Sequence, residues 1–225
     1  SPTAVMSYGD DKGAVGYLVG EENHGLAYMF TMMNAARHAV GREGVAQSDG
    51  SFQLALQHAR QRVQGKAPGG EAGAAIIEHP DVKRMLMTMK CQVEAMRALA
   101  MSVAYAYDEA ERSFQDDEKS FAARRGDLLT PVVKGWCTET AQVLTSLGTQ
   151  IHGGMGFVEE TGAAQYQRDA RITTIYEGTT GIQASDFVGR KTLRDGGQAI
   201  GELLAEMKET ISQISELFPF RLAFH

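Results

Sequence analysis

Between Val82 and Ala110, apolar side chains recur every three or four residues without a gap: Val82, Met85, Met89, Val93, Met96, Ala100, Val103, Tyr107 and Ala110. A strand alternates in twos, so this spacing predicts a long helix with one buried face. His79-Pro80 marks its start, because proline is tolerated in a first helical turn. A helix of this kind owes its stability to packing, so the chain must supply other apolar faces to cover it.

Three further stretches supply them. From Leu26 to about Gln64, Met29, Met33, Arg37, Val40, Gly44, Phe52, Leu56, Ala59 and Val63 fall near one helical face. "GKAPGGEAGAA" then breaks the pattern with glycines and a proline. After the Val82–Ala110 helix, "SFQDDEKSFAARRGD" reads as the next break. A third helix carries Val133, Trp136, Thr140, Val143 and Leu147, with Pro131 in its early turns and Gly148 near its end. Residues 149–172 read as a long glycine-containing connection with a helical turn inside. A fourth helix runs from about Thr179 to Lys191. "RDGGQ" leads into a last amphipathic segment with Ile200, Leu203, Met207, Ile211 and Ile214. The expected fold is all-α: an antiparallel, up-down-up-down four-helix bundle with a C-terminal extension. The methionines on these stripes read as core filler, since Met packs irregular gaps. Ahead of the bundle, "AVGYLVG" at residues 14–20 reads as the end of a strand, and "EENHG" as a turn before a helix N-terminus. The tail after Leu217, "FPFRLAFH", is apolar and aromatic.

Of the 225 residues, 43% are apolar, enough for one sizeable core. The net charge is −6 with cations scattered, which argues against non-specific nucleic-acid binding. Cys91 and Cys137 both lie in helix-like segments and read as buried or partly buried thiols of a reducing compartment. No apolar run has the length of a membrane span, and the first residues do not resemble a signal peptide. The chain starts without Met and reads as a processed chain or as a piece of a longer one. No His-x-x-x-His, Cys-x-x-Cys or Gly-x-Ser-x-Gly occurs, which leaves metal and serine-hydrolase chemistry without a signature.

Four places hold residues able to do chemistry. "HGGMGF", residues 152–157, has consecutive glycines whose N–H groups can turn towards an anion, but it lacks the G-x-G-x-x-G or P-loop spacing, and by itself reads first as a tight turn after a helix. Arg60, Arg62 and Lys66 close the first helix, where they suit the negative end of its dipole or an anionic ligand. Arg37 falls on an apolar stripe, and a buried arginine needs an anionic partner or several acceptors. Glu177 stands in "RITTIYEGTTGIQ", after an apolar run expected to be extended or irregular and buried. Thr179 is placed to cap the following helix. Glu177 either steadies that helix dipole or, in a pocket, serves as a general base.

Taken together, "GYLVGEENHGLAYMF", "ARQRVQG", "QIHGGMGF" and "RDARITTIYEGTTGIQ", in that order, resemble the C-terminal part of an acyl-CoA dehydrogenase over about residues 14–192. The resemblance implies FAD as cofactor and removal of the proton α to a thioester while a β-hydride goes to the flavin. Glu177 matches the base; Ala36 stands where some relatives place it instead, and alanine cannot take a proton. Gly178 would let substrate pass close to the backbone, and the Glu177 N–H would polarise the thioester carbonyl. Arg37 matches an arginine on the substrate side, with Asn34 where an acid is common. Arg62 matches the arginine that reaches the FAD pyrophosphate of a neighbouring subunit. Gln150, Gly153 and Gly154 match the segment around the adenosine end of that FAD, and Thr179 a residue near the flavin phosphates.

The resemblance further implies an acyl-CoA substrate, an electron-transfer flavoprotein as acceptor, a homo-oligomer of two or four subunits, and a bacterial cytoplasmic location. It divides the chain into residues 1–24, a remnant of a middle β-domain; 25–192, the bundle; and 193–225, the start of a helical extension. "MFTMMNAARHAVG" and "RVQG" are most similar to the branch that includes 3-methylmercaptopropionyl-CoA dehydrogenase, whose members carry such an extension. The 225 residues alone are expected to be inactive, because half of the family's flavin pocket lies on the β-domain. An acyl-CoA oxidase, or a bundle kept as a non-catalytic interaction protein, are the rival expectations.

Overall fold

The computed structural model describes residues 4–70 and 73–217, with no side-chain description at 31 and 215–217. The aromatic tail at residues 218–225 lies outside them. The chain divides after Met33 into two units.

In the first unit, residues 14–19 are unpaired, exposed backbone and not a strand. A strand exists only beside a hydrogen-bonded neighbour, and the described residues contain only an isolated bridge elsewhere, between Val63 and Ala75. The turn before the first helix is closed locally: the Glu21 N–H donates to the Tyr28 hydroxyl (3.1 Å), and His24 meets Tyr28 edge-on.

Helix α1 spans Gly25–Gln61, α2 Pro80–Arg112, α3 Asp116–His152, α4 Gly154–Phe157, α5 Ala163–Thr173, α6 Thr180–Val188 and α7 Gln198–Leu217. The fold is all-α among the described residues, as expected. The α2 stripe is buried as its spacing requires: Met85, Met89, Val93, Met96, Ala100 and Val103 pack on Leu129, Val133, Cys137, Leu144 and Ile151 of α3. From the part of α1 in the second unit come Val45, Ala55 and Ala59. α1 and α3 come close enough that a Cβ at Gly44 would lie 2.8 Å from the Cys137 carbonyl oxygen. Alanine there forces the two helices apart.

Three expectations need correction. The predicted break "SFQDDEKSFAARRGD" shrinks to residues 113–115, and its remainder forms the first turns of α3. Its charges are a solvated helix face. Asp116, Asp117 and Glu118 favour the positive end of the α3 dipole, and Arg124 and Arg125 reach Glu202 and Glu206 on α7. Pro131 therefore lies well inside α3 rather than near its start. The predicted α3 stripe is also rotated: Trp136 and Val143 are exposed, whereas Val133, Cys137, Leu144 and Ile151 form the core face. α3 is covered by several helices at once, so its buried residues lie on more than one face, and Gly148 marks a close approach to Ser51 of α1. Finally, the 149–172 connection is mostly helical: α3 runs on to His152, and α4 and α5 follow. α5 is tied down by Gln142, whose side-chain amide donates to the Ala170 carbonyl (2.7 Å).

The two cysteines differ, against the expectation that both are covered. Cys91 is exposed and Cys137 is buried, and burial pushes the Cys137 thiol up to about 12. A disulfide reagent added to the native protein at neutral pH should modify Cys91 and spare Cys137 until the chain unfolds, because the thiolate is the nucleophile. Prompt reaction of Cys137 in native protein, read by peptide mapping, would contradict this packing.

Candidate active site

Glu177 sits where α5 hands over to α6. The α5 backbone closes on itself, with the Ile175 and Tyr176 N–H groups both donating to the Ile172 carbonyl (2.9 and 3.2 Å). The run expected to be extended or irregular and buried is instead this helix end and the turn after it. Thr173 and Thr174 are buried, and Ile172 and Ile175 are about half exposed. The chain then enters the left-handed region at Glu177 (φ 53°) and Gly178 (φ 90°). A non-glycine residue there is uncommon and strained on the order of 1 kcal/mol or more. The strain is held by Gln183, buried on α6, whose amide donates to the carbonyls of Glu177 (3.3 Å) and Gly178 (2.9 Å). A Cβ at Gly178 would lie 2.9 Å from that amide nitrogen, so the turn has no room for a side chain there. Thr179 caps α6 by accepting from the Ile182 N–H (3.4 Å), as expected.

The turn is braced on two more sides. The Tyr176 hydroxyl donates to Glu43 on α1, and the Thr180 hydroxyl to Glu139 on α3. Burial, then the hydrogen bond to Glu43, raise the Tyr176 phenol above its ordinary range, so it stays protonated and a donor. The Glu177 side chain is half-buried. Among the described residues neither its carboxylate nor its N–H has a hydrogen-bond partner, so both remain available to a ligand.

Arg37 lies behind this turn. It is buried and paired with Asp186 of α6 at 2.8 Å, with both side chains almost fully covered. This is the anionic partner that its place on an apolar stripe demanded. The neighbouring Asn34 bonds Asp127 instead (2.9 Å). Ala36 is half-buried on α1.

The other predicted residues gather elsewhere. Arg62, Gly153 and Gly154 line a groove of about 340 Å³ together with His58, Gln64, Ile151 and His152. Gly153 takes φ 63° and ψ −143°, and nothing lies near the Cβ positions of either glycine, so their backbone faces the groove openly. Gln150 is exposed, and its carbonyl accepts from the Gly153 N–H (3.0 Å); it shapes the turn rather than the groove wall. No residue lines both this groove and the Glu177 turn.

Sequence reasoning missed His58 in this groove. Its ring stacks on His152 with centroids 4.4 Å apart. The His152 Nδ1–H donates to the Gly148 carbonyl (2.7 Å), which orients the pair. Burial, then the nearby His152 and Arg62, hold His58 below the usual imidazole range. The cation of this groove is Arg62, and the open glycine backbone beside it suits an anion. The helical spacing from His58 to Arg62 is the signal that was available. Among the described residues no three His, Cys, Asp or Glu side chains converge to hold a metal, and no helix is long and apolar enough to cross a membrane.

The second unit thus carries a half-buried carboxylate on a strained helix-capping turn and, elsewhere, an open glycine-and-arginine groove. The profile of the acyl-CoA dehydrogenase C-terminal domain matches residues 23–191. The chain belongs to that family. It is 51% identical over 96% of its length to 3-methylmercaptopropionyl-CoA dehydrogenase of Ruegeria pomeroyi. It is 37% identical over 94% of its length to a broad-specificity linear acyl-CoA dehydrogenase of Mycobacterium tuberculosis. It spans 36% of each of those two relatives. Its fold is similar to butyryl-CoA dehydrogenase of Megasphaera elsdenii, with a TM-score of 0.58 and 26% identity over 76% of this chain and 39% of that one.

Proposed function

We propose that the chain is the base-bearing helical domain of an FAD-dependent acyl-CoA dehydrogenase, in which Glu177 removes the proton α to the thioester carbonyl. The observation that carries this reading is the Glu177 turn, with its free carboxylate and free N–H on a backbone fixed by Gln183. The N–H donates to the thioester oxygen and stabilises the charge that develops there as the α-proton leaves. Gly178 leaves the substrate a path along the backbone. Arg37 serves the site by holding α6 against α1 through Asp186.

The residues present fit the cofactor that the family implies. A cation, open glycine backbone and an imidazole pair suit a pyrophosphate-containing group. Bound FAD supplies the acceptor for the β-hydride. Arg62 and the Gly153–Gly154 turn would hold the pyrophosphate and adenosine end of a neighbouring subunit's FAD, and Thr179 would lie near the phosphates of the chain's own. That sharing makes the protein a homo-oligomer. Residues 1–24 read as the end of a β-domain that completes the flavin pocket, and electrons leave to an electron-transfer flavoprotein. Among substrates, short acyl-CoA thioesters with a thioether in the acyl chain come first, in line with the Ruegeria relative's name. Reduction of the flavin of the full-length protein by a series of acyl-CoA thioesters tests the reading, and a flavin that no thioester reduces would overturn it.

Arg62→Ala in that protein should weaken FAD retention. A charge-assisted hydrogen bond of this kind contributes roughly 1.5–3 kcal/mol, about tenfold to a hundredfold in affinity. Flavin occupancy after dialysis, read beside the oligomeric state, is the check. Undiminished occupancy would leave Arg62 as a helix-dipole residue only.

A further inference from the structure

Three basic side chains line the groove beside the Gly153–Gly154 turn, and no acidic one does among the described residues. His58 and Arg62 lie one helical turn apart at the end of α1, where the Arg62 N–H donates to the His58 carbonyl (2.8 Å). His152 comes from the last turn of α3, and its ring stacks on His58 with centroids 4.4 Å apart. The His152 Nδ1–H is committed to the Gly148 carbonyl (2.7 Å). Neither ring nitrogen of His58 has a hydrogen-bond partner among the described residues. No described carboxylate pairs with Arg62, whose guanidinium makes one long bond, to the Gln64 side chain (3.4 Å).

Two stacked imidazoles beside a guanidinium do not all carry charge unless an anion lies among them. Burial, then His152, then Arg62 disfavour the charged form of His58, so at neutral pH it is an uncharged base. The elements packed around it offer nothing to offset this. Ile76 and Met155 close the groove from the 76–78 turn and from α4. Glu78 is engaged by Lys83, and Glu159 by Arg168. The His79 ring bonds the Gln64 carbonyl (2.9 Å), and Arg60 lines a separate groove with Gln53 and Gln57. Phenylalanine would fill the same stack. Imidazole adds one property to it, a proton held or released near neutral pH.

We propose that His58 takes up a proton when the diphosphate of FAD is seated in this groove, and so becomes a second cation on that ligand beside Arg62. The inference rests on the reading that the Arg62 groove holds the cofactor's pyrophosphate. The proton comes from solvent and joins a His58 ring nitrogen. An anion close to an imidazole favours its charged form, so cofactor and proton strengthen each other's binding. The sign follows: a group whose proton affinity the ligand raises favours the bound form at low pH and loses that effect as pH rises. FAD is therefore held more tightly on the acid side of neutrality than on the alkaline side.

The test is calorimetry of FAD binding to the full-length protein freed of flavin, in two buffers that differ in ionisation enthalpy. Wild type should take up part of a proton per FAD at neutral pH. Its FAD dissociation constant should rise about tenfold from mildly acidic to mildly alkaline solution, the ratio that a tenfold change in proton affinity gives. His58→Phe keeps a ring on His152 but carries no proton. It should abolish the uptake, flatten the profile and match wild type on the alkaline side. His58→Gln is the second neutral variant should phenylalanine disturb the stack. A histidine that only packs would give variants weakened equally at every pH with the uptake intact; that result overturns the proposal. Arg62→Ala separates the two readings. If it loses flavin while wild type binds without proton uptake, the His58 role alone fails. If it keeps its flavin undiminished, the groove does not hold the cofactor, and the His58 role goes with it.

Discussion

Glu177→Gln in the full-length protein should abolish most turnover while leaving FAD in place. Glutamine keeps the volume of glutamate and tolerates the same left-handed backbone (φ 53°), so the turn held by Gln183 stays as it is. What it loses is the ability to accept the α-proton. Removal of a general base typically lowers the rate a hundredfold to ten-thousandfold, on the order of 3–5 kcal/mol of transition-state stabilisation. Because the Glu177 N–H is untouched, binding of the acyl-CoA should change much less than turnover. The measurement is kcat with an artificial electron acceptor, beside the flavin content of the purified variant. Near wild-type turnover with full flavin would show that the base lies elsewhere, and the turn would then be a helix cap only.

Asp186→Ala should cost stability on a comparable scale. The Arg37–Asp186 pair is 2.8 Å long and both side chains are almost fully covered. Taking away one partner strands the other charge in the core, which typically costs about 3–5 kcal/mol. For a helical domain of this size that is a fall of about 10 °C or more in melting temperature. Asp186→Asn should lose less, since an amide oxygen still accepts from the guanidinium. The double change Arg37→Met with Asp186→Leu should recover much of the loss, because no charge is then left unpaired. Thermal melts followed by helical circular dichroism read all three variants. If Asp186→Ala melts with the wild type, the pair contributes little and α6 is held by Gln183 and Thr180 instead. Since α6 begins directly after the Glu177 turn, a real loss of this anchor should also lower turnover, which distinguishes it from a remote packing defect.

Parts of this architecture are legible in the chain and parts are not, for physical reasons. The α2 stripe reads correctly because one face of that helix is buried and the other is wet, so period and burial coincide. α3 reads wrongly because it is covered on several sides. Its buried residues then lie on more than one face and no single helical stripe marks them; hence Trp136 and Val143 face outward while Lys134, Thr138 and Gly148 are inside. The charged run at residues 113–127 reads as a loop because local charge density does not reveal that Arg124 and Arg125 have partners on α7. The strand reading of residues 14–20 fails on the same ground, since pairing is a property of a neighbour and not of the segment. Arg37 announces its need for an anion, but nothing near it in sequence names Asp186.

The sequence by itself determined the all-helical class, the core face of α2, the cap at Thr179 and the family, together with Glu177 and Arg62 as the residues to ask about. These depend on short-range patterns: helical period, a capping hydroxyl and motifs a few residues long. Only the tertiary structure decided that Arg37 is neutralised by Asp186, that His58 joins the Arg62 groove, that Cys91 and Cys137 part ways, and that the Lys134 ammonium is buried within α3. Each of these is a matter of what a side chain meets after the chain has folded. Electrostatics and desolvation act through space, so groups far apart in sequence set one another's charge once packing brings them together.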